Sequence, residues 1–217
     1  MLIDKIITNE IPPVHAYDTV DTALQYMDDW KVSHLIVTDG HRYVGLIEEQ
    51  VLLGYDGHTE ISEFELLDCK VNTTQHIYDA IECIADYRLS VLPVVNMEGK
   101  HVGEILPSHL IEEIAELSAV RREGSVLILE MNEVDYSLAD IARHVESNDA
   151  HVLSATVKRI GDGHMVEVFL KINQEHISGV VQTLQRFNYK IKAYFDAPTF
   201  DDDLRRRYDE LMRYLDT

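Results

Sequence analysis

The side chains best able to do chemistry in this chain are its eleven histidines and its strand-end carboxylates. His34 opens an apolar strand, Glu48 closes the neighbouring one, and His109 begins a helix, so nitrogen and oxygen donors fall at element ends where ligands are commonly held. The spacing does not add up to a reaction centre, because no HxH, HExxH or CxxC pattern brings metal ligands into register. No nucleophile elbow, P-loop or GxGxxG occurs either, so no catalytic residues and no metal ligands are assigned. His41, His58, His101 and His164 fall in turn segments, where solvent is their expected partner. Arg42 and Lys100 sit just before equivalent strands, within reach of a phosphate, although a solvated hairpin cation is the better reading.

The elements that position these residues are written twice. "TVDTALQYM" puts Val20, Ala23, Leu24 and Met27 on one helical face, and "HIYDAIECI" does the same with Ile77, Ala80, Ile81 and Ile84 at a constant spacing. Each helix leads to a β-branched strand, "KVSHLIVTD" or "RLSVLPVVN", with Ser33 and Ser90 in equivalent places. A short turn and a second strand follow, then a closing helix, "GLIEEQVLL" or "GEILPSHLI", with Ser108 the expected cap of the latter. Each copy therefore reads helix, strand, strand, helix.

Beyond "AVRREGS" the pattern changes to βαββαβ. "VLILEM" is a strand, and the next segment is a helix capped by Ser137 with Leu138, Ile141, Ala142 and Val145 inward. Two alternating strands flank "GDG", a second helix carries Ile177, Val180, Val181, Leu184 and Phe187 inward, and "YKIKAYF" closes the unit. The tail, residues 198–217, aligns Leu204, Tyr208, Leu211 and Leu215 on one helical face and is expected to dock on its own domain or across a dimer.

With 217 residues, 46% hydrophobic and 27% charged, the chain has the composition of a packed protein of two or three small domains. Its formal net charge of -20 opposes nucleic acid and anionic membrane surfaces as partners. The N-terminus does not read as a signal peptide and no apolar run is long enough to span a bilayer, which points to the cytoplasm. Two cysteines, Cys69 and Cys83, fit reduced thiols there.

The "TVDTAL" and "HIYDAI" helices, the "VSHLIV" and "LSVLPVV" strands, and Gly45 and Gly103 together resemble the CBS domain, written as a tandem pair over residues 1–58 and 59–119. Residues 125–196 resemble an ACT domain, and the combination is similar to CBS-ACT proteins of the acetoin-utilisation type. The implied fold class is α+β: two pseudo-symmetric αββα units, a ferredoxin-like βαββαβ domain and a C-terminal helix. The resemblance implies a non-catalytic, homodimeric regulatory protein that senses a small molecule, with AMP, ADP, ATP and S-adenosylmethionine as candidate ligands and an unknown protein as the regulated partner. It places Val14, His15, Val32, Ser33, His34 and Glu48 in the first cleft, and Val71, Asn72, Leu89, Ser90, Val91, Leu106 and His109 in the second.

Where the family's motif carries a hydroxyl and a carboxylate for ribose, this chain has Glu48 and Val51 in one copy and Leu106 and His109 in the other. Two readings therefore stand open: a nucleotide or other small-molecule sensor, and a structural dimerisation or partner-docking module with non-functional clefts. In the third segment "NEVDYSL" has no glycine in the turn where ACT domains hold amino acids.

Overall fold

The computed structural model describes residues 1–197, so the helical tail expected at 198–217 lies outside the described residues. The chain divides into two compact units, residues 1–113 and residues 114 onward.

In the first unit each copy is a small sheet with flanking helices, the last of which crosses the boundary at residue 113. The first copy comprises β1 (Val14–His15), α1 (Val20–Trp30), β2 (His34–Asp39), β3 (Arg42–Glu48) and α2 (Glu49–Leu52). The second comprises β4 (Val71–Asn72), α3 (Ile77–Tyr87), β5 (Leu92–Val95), β6 (His101–Ile105) and α4 (Pro107–Leu117). The sheets run β1-β2-β3 and β4-β5-β6, with the first strand parallel to the middle one and the third antiparallel to it. Each copy is thus the expected αββα with a two-residue strand added before it. Strands β1 and β4 are two residues long, too short for a period-2 pattern to show in sequence.

Local chemistry explains the helices. Thr19 caps α1 by accepting the Thr22 N–H, and Val20, Ala23 and Met27 bury one face. In α3 the His76 ring accepts from Tyr78 N–H while the Asp79 carboxylate accepts from His76 N–H at 2.9 Å, so two orphan helix-start donors are satisfied. Both helices stop at a left-handed residue in the same place, Lys31 (φ 55°) and Arg88 (φ 51°). A cation there complements the negative helix end, which offsets part of the backbone strain. The closing helix of the second copy starts at Pro107, whose missing N–H costs nothing at the first helical position, so Ser108 is inside the helix and not its cap.

The two copies exchange their lead-in segments. Leu2 bridges His76 and Thr8 bridges Glu104, so residues before the first copy pair with the second; Thr19 bridges Glu60 and Leu46 bridges Leu67, so the linker pairs with the first. One continuous apolar core, from Ile3 through Leu35, Leu46 and Ile61 to Ile105 and Leu110, results.

The second unit contains β7 (Ser125–Asn132), α5 (Leu138–Glu146), β8 (Val152–Ile160), β9 (Met165–Ile172), α6 (Ser178–Arg186) and β10 (Lys190–Phe195). Its sheet order is β10-β7-β9-β8, all antiparallel, the ferredoxin-like arrangement. Alternate residues of β7 and β9, among them Leu127, Leu129, Val168 and Leu170, bury against Ile141, Val145, Val180 and Leu184 of the helices. Ser137 caps α5 by accepting the Asp140 N–H. Two residues expected inward are outside: Leu138 is 42% exposed at the first turn of α5, and Phe187, just past the end of α6, is 54% exposed and stacks on His144 at 3.9 Å. Among the described residues no helix is long and apolar enough to cross a membrane.

Candidate functional site

The two copies meet at the residues that begin their central strands. Ser90 Oγ accepts the backbone N–H groups of Ser33 and His34, each at 3.0 Å, and stands 3.3 Å from His34 Nδ1. The Ser90 N–H donates to the same Nδ1 at 3.4 Å, and Ser33 Oγ lies 3.1 Å from it. His34 is buried, and burial lowers its pKa despite the opposing pull of Glu48, which faces it across β2 and β3. A neutral ring whose Nδ1 accepts an N–H carries its proton on Nε2. The arrangement is a hydrogen-bonded joint between repeats.

The other residues assigned to the clefts separate into two groups. Val14, Val71, Leu89 and Val91 are buried in the apolar core. His15 and Glu48 are exposed, and Val32, Asn72 and Leu106 are half-buried. His109 is turned toward the lead-in, with Nε2 3.4 Å from Glu10 Oε1. At the positions where ribose would be gripped, Glu48 and Val51 face solvent while Leu106 packs against the core.

Arg42 and Lys100 lie together in an isolated backbone bridge at the tips of the two hairpins, reinforced by the His101 N–H donating to His41 C=O at 2.9 Å. A cavity of about 330 Å³ beside them is lined by Arg42, Tyr43, Val44, Asp68, Lys70 and Gly99. Lys100 itself pairs with Glu98 at 2.7 Å.

His101 is not in a turn. It lies on β6 with Nε2 buried, and burial lowers its pKa. Glu104, which sequence reasoning passed over, is fully buried on the same strand. Its Oε1 accepts the N–H groups of Glu10 at 2.6 Å and Ile11 at 3.1 Å, and burial raises its pKa more than these donors lower it. The available signal was the repeat itself, because the equivalent residue of the first copy is Leu46. Among the described residues no three His, Cys, Asp or Glu side chains form a group able to hold a metal ion. The Cys69 thiol is pushed up to about 12 by burial and by its neighbour Cys83, which makes it a poor nucleophile at neutral pH.

In the second unit a cavity of about 510 Å³ opens between the end of β7, α5 and the turn into β10, with Glu130, Asp135, Asp140, His144, Phe187 and Tyr189 in its wall.

Two pseudo-symmetric sheet-and-helix repeats are joined where their central strands begin, at Ser33 and Ser90. Residues 3–56 and 68–116 match the CBS domain family, and the chain carries a tandem CBS pair. Among solved structures, a CBS domain pair/ACT domain protein from Thermotoga maritima is 24% identical with a TM-score of 0.51, the match covering 54% of this chain and 98% of that one. A protein from Vibrio cholerae with a proposed role in acetoin utilization is 16% identical with a TM-score of 0.48, covering 56% and 95%. CBSX2, solved in complex with AMP, is 20% identical with a TM-score of 0.48, covering 56% and 98%.

Proposed function

We propose that this is a cytoplasmic, non-catalytic regulatory protein that senses a small molecule, an adenine nucleotide foremost, through its CBS pair. The observation that carries the reading is the joint at Ser33, His34 and Ser90, because it couples the two halves of a CBS pair through hydrogen bonds that a ligand beside either strand start would strengthen or break. Regulation in this sense needs a ligand that binds two packings with different affinity. The ferredoxin-like unit is read as an ACT-like domain that supports homodimer formation, and the regulated partner is a second protein. The reduced, buried thiol of Cys69 suits a reducing compartment.

A thermal-shift panel of AMP, ADP, ATP, S-adenosylmethionine and NAD tests the reading. A ligand at 100 times its Kd adds about 2.7 kcal/mol to the native state. No shift from any of them at millimolar concentration refutes nucleotide sensing. One set of observations favours the second reading, a dimerisation or docking module: Leu53 and Ile111 of the first unit are 60% and 66% exposed, and neither copy presents the hydroxyl and carboxylate that hold ribose. Light scattering that gives a monomer mass of 24.9 kDa at micromolar concentration refutes the homodimer and, with it, the dimerisation form of this alternative.

A further inference from the structure

Both helices of the second unit pack on one side of its sheet, and the opposite side carries an apolar patch. Strand pairing sets its rows: Phe195, Val126, Lys171 and Ser154 stand side by side, and next to them Ala193, Ile128, Phe169 and Thr156. An antiparallel sheet with one face in water alternates apolar and polar residues, yet in β7 the buried Leu127 and Leu129 alternate with Val126 and Ile128. Val126, Ile128, Phe169 and Phe195 belong to neither apolar core, and Phe195 is 59% exposed. The following row, Lys190, Glu130, Glu167 and Lys158, is charged, with Lys190 paired to Glu130 and Lys192 to Glu167, so the patch ends there.

Part of the patch is a groove. A cavity of about 230 Å³ is lined by Val126, Thr156 and Phe169 of the sheet and by Ser118 and Val120 of the connector. Ser154 Oγ donates to the Ser118 carbonyl at 2.8 Å, which fixes the connector along one side of it.

A sheet with an apolar face buries it against another element, and the chain brings one to this spot. β10 ends at Phe195, inside the patch, and the exit is pinned: the Asp196 carboxylate accepts the Ile177 N–H at 3.2 Å, and the Ala197 N–H donates to the Glu175 carbonyl at 3.0 Å. Residues 198–217 come next, outside the described residues, and their sequence spaces Leu204, Tyr208, Leu211 and Leu215 as one helical stripe. Crossing from β10 to β8 takes about 15 Å. Residues 198–203 reach up to about 20 Å when extended, and residues 204–217 span about 20 Å as a helix, so the length suffices. A helix this short gains its stability from packing, and a segment tethered beside its site meets it at roughly millimolar effective concentration, ahead of a second copy.

We propose that residues 198–217 of the same chain close this face as an amphipathic helix, with Leu204, Tyr208, Leu211 and Leu215 set against Val126, Ile128, Phe169 and Phe195. The occupant of the face is independent of what the CBS pair senses.

Replacing Tyr208 with p-benzoylphenylalanine in the full-length protein puts a photo-crosslinker on the stripe. After irradiation, denaturing electrophoresis separates products of one chain from products of two, and peptide mass spectrometry locates the new bond. Adding Leu211→Asp introduces a carboxylate that cannot be buried unpaired against the sheet, and a urea unfolding curve establishes that the variant is folded. A single-chain product joined to residues 126–128, 154–156 or 169–171, its yield falling at least about tenfold with Leu211→Asp, supports the proposal. A two-chain product at those residues overturns it and assigns the face to a second copy. Attachment elsewhere, no attachment, or a yield indifferent to Leu211→Asp also overturns it, and none of these outcomes bears on nucleotide sensing.

Discussion

Replacing Ser90 with alanine removes a single oxygen and should unlock the joint between the repeats. Ser90 Oγ accepts from two backbone N–H groups at 3.0 Å. A typical intramolecular hydrogen bond contributes about 0.5–1.5 kcal/mol, and a buried donor left unpaired costs about 1–3 kcal/mol. The joint is partly buried, so the lower half of the unpaired-donor range applies, and with two donors stranded Ser90→Ala is expected to lose about 2–4 kcal/mol. Ser33→Ala is the matched control. Among the described residues Ser33 Oγ hydrogen-bonds to the His34 ring alone, and its loss leaves no backbone donor stranded, so under about 1 kcal/mol is expected. Urea denaturation followed by far-ultraviolet circular dichroism measures both, with an unchanged slope showing that the change is in stability and not in compactness. If Ser90→Ala lies within 0.5 kcal/mol of the parent, or if the two variants cannot be told apart, the joint carries no energy and the coupling argument built on it fails.

Burial holds the His34 pKa below its ordinary value, so on acidification the unfolded chain takes up a proton before the folded one does. Its contribution is intact above the unfolded pKa of about 6.5 and is lost as pH falls toward the folded value, so stability should decline from pH 7 to pH 5 and decline less in His34→Gln. Glu104 has the opposite sign: its raised pKa means that stability is lost as pH climbs through the folded value, so Glu104→Gln should be more stable than the parent at pH 7 and equal to it near pH 4 in paired urea titrations. Gly103→Ala should cost 2 kcal/mol or more on the order of an overpacked core, because φ is +146° and a Cβ would stand 2.4 Å from the Thr8 carbonyl; hydrogen exchange should show the Thr8 and Glu104 amides losing protection first. Cys69 should react with a disulfide reagent only as fast as the protein unfolds, and a burst of labelling in the native state would contradict its buried, high-pKa assignment.

The repeat made most of the fold legible. Apolar faces at Val20, Ala23 and Met27, and again at Ile77 and Ala80, are the faces that are buried, and "GDG" does join two antiparallel strands. Elements set by backbone pairing and not by side-chain period were out of reach: β1, β4 and the exchanged lead-ins are defined by bridges between distant residues. At the site, Ser33, Ser90, His34 and Glu48 were readable because equivalent spacing placed them at strand ends, and the structure does bring the first three together. Glu104 was not, since a carboxylate in "HVGEIL" has the look of a solvated strand residue until its burial is seen. His101 went the other way, a turn-like neighbourhood concealing a strand position. Phe187 and Leu138 followed the helical period yet sit at helix ends, Leu138 opening α5 and Phe187 just past α6, where the terminal turn leaves the core.

The exchanged lead-ins also impose a timetable on synthesis. Leu2 finds its partner at His76 and Thr8 at Glu104, so the lead-in to the first repeat is completed by one of the last strands of the pair, made about a hundred residues after it. At about 5–20 residues per second, this lead-in waits roughly 5–20 s for the strand that receives it. During that interval Ile3, Ile6 and Ile7 have no lasting burial, and the first repeat must hold its shape without the second. A ribosome-bound intermediate cut short before residue 104 would therefore carry an unpaired apolar leader, a natural handle for a nascent-chain chaperone.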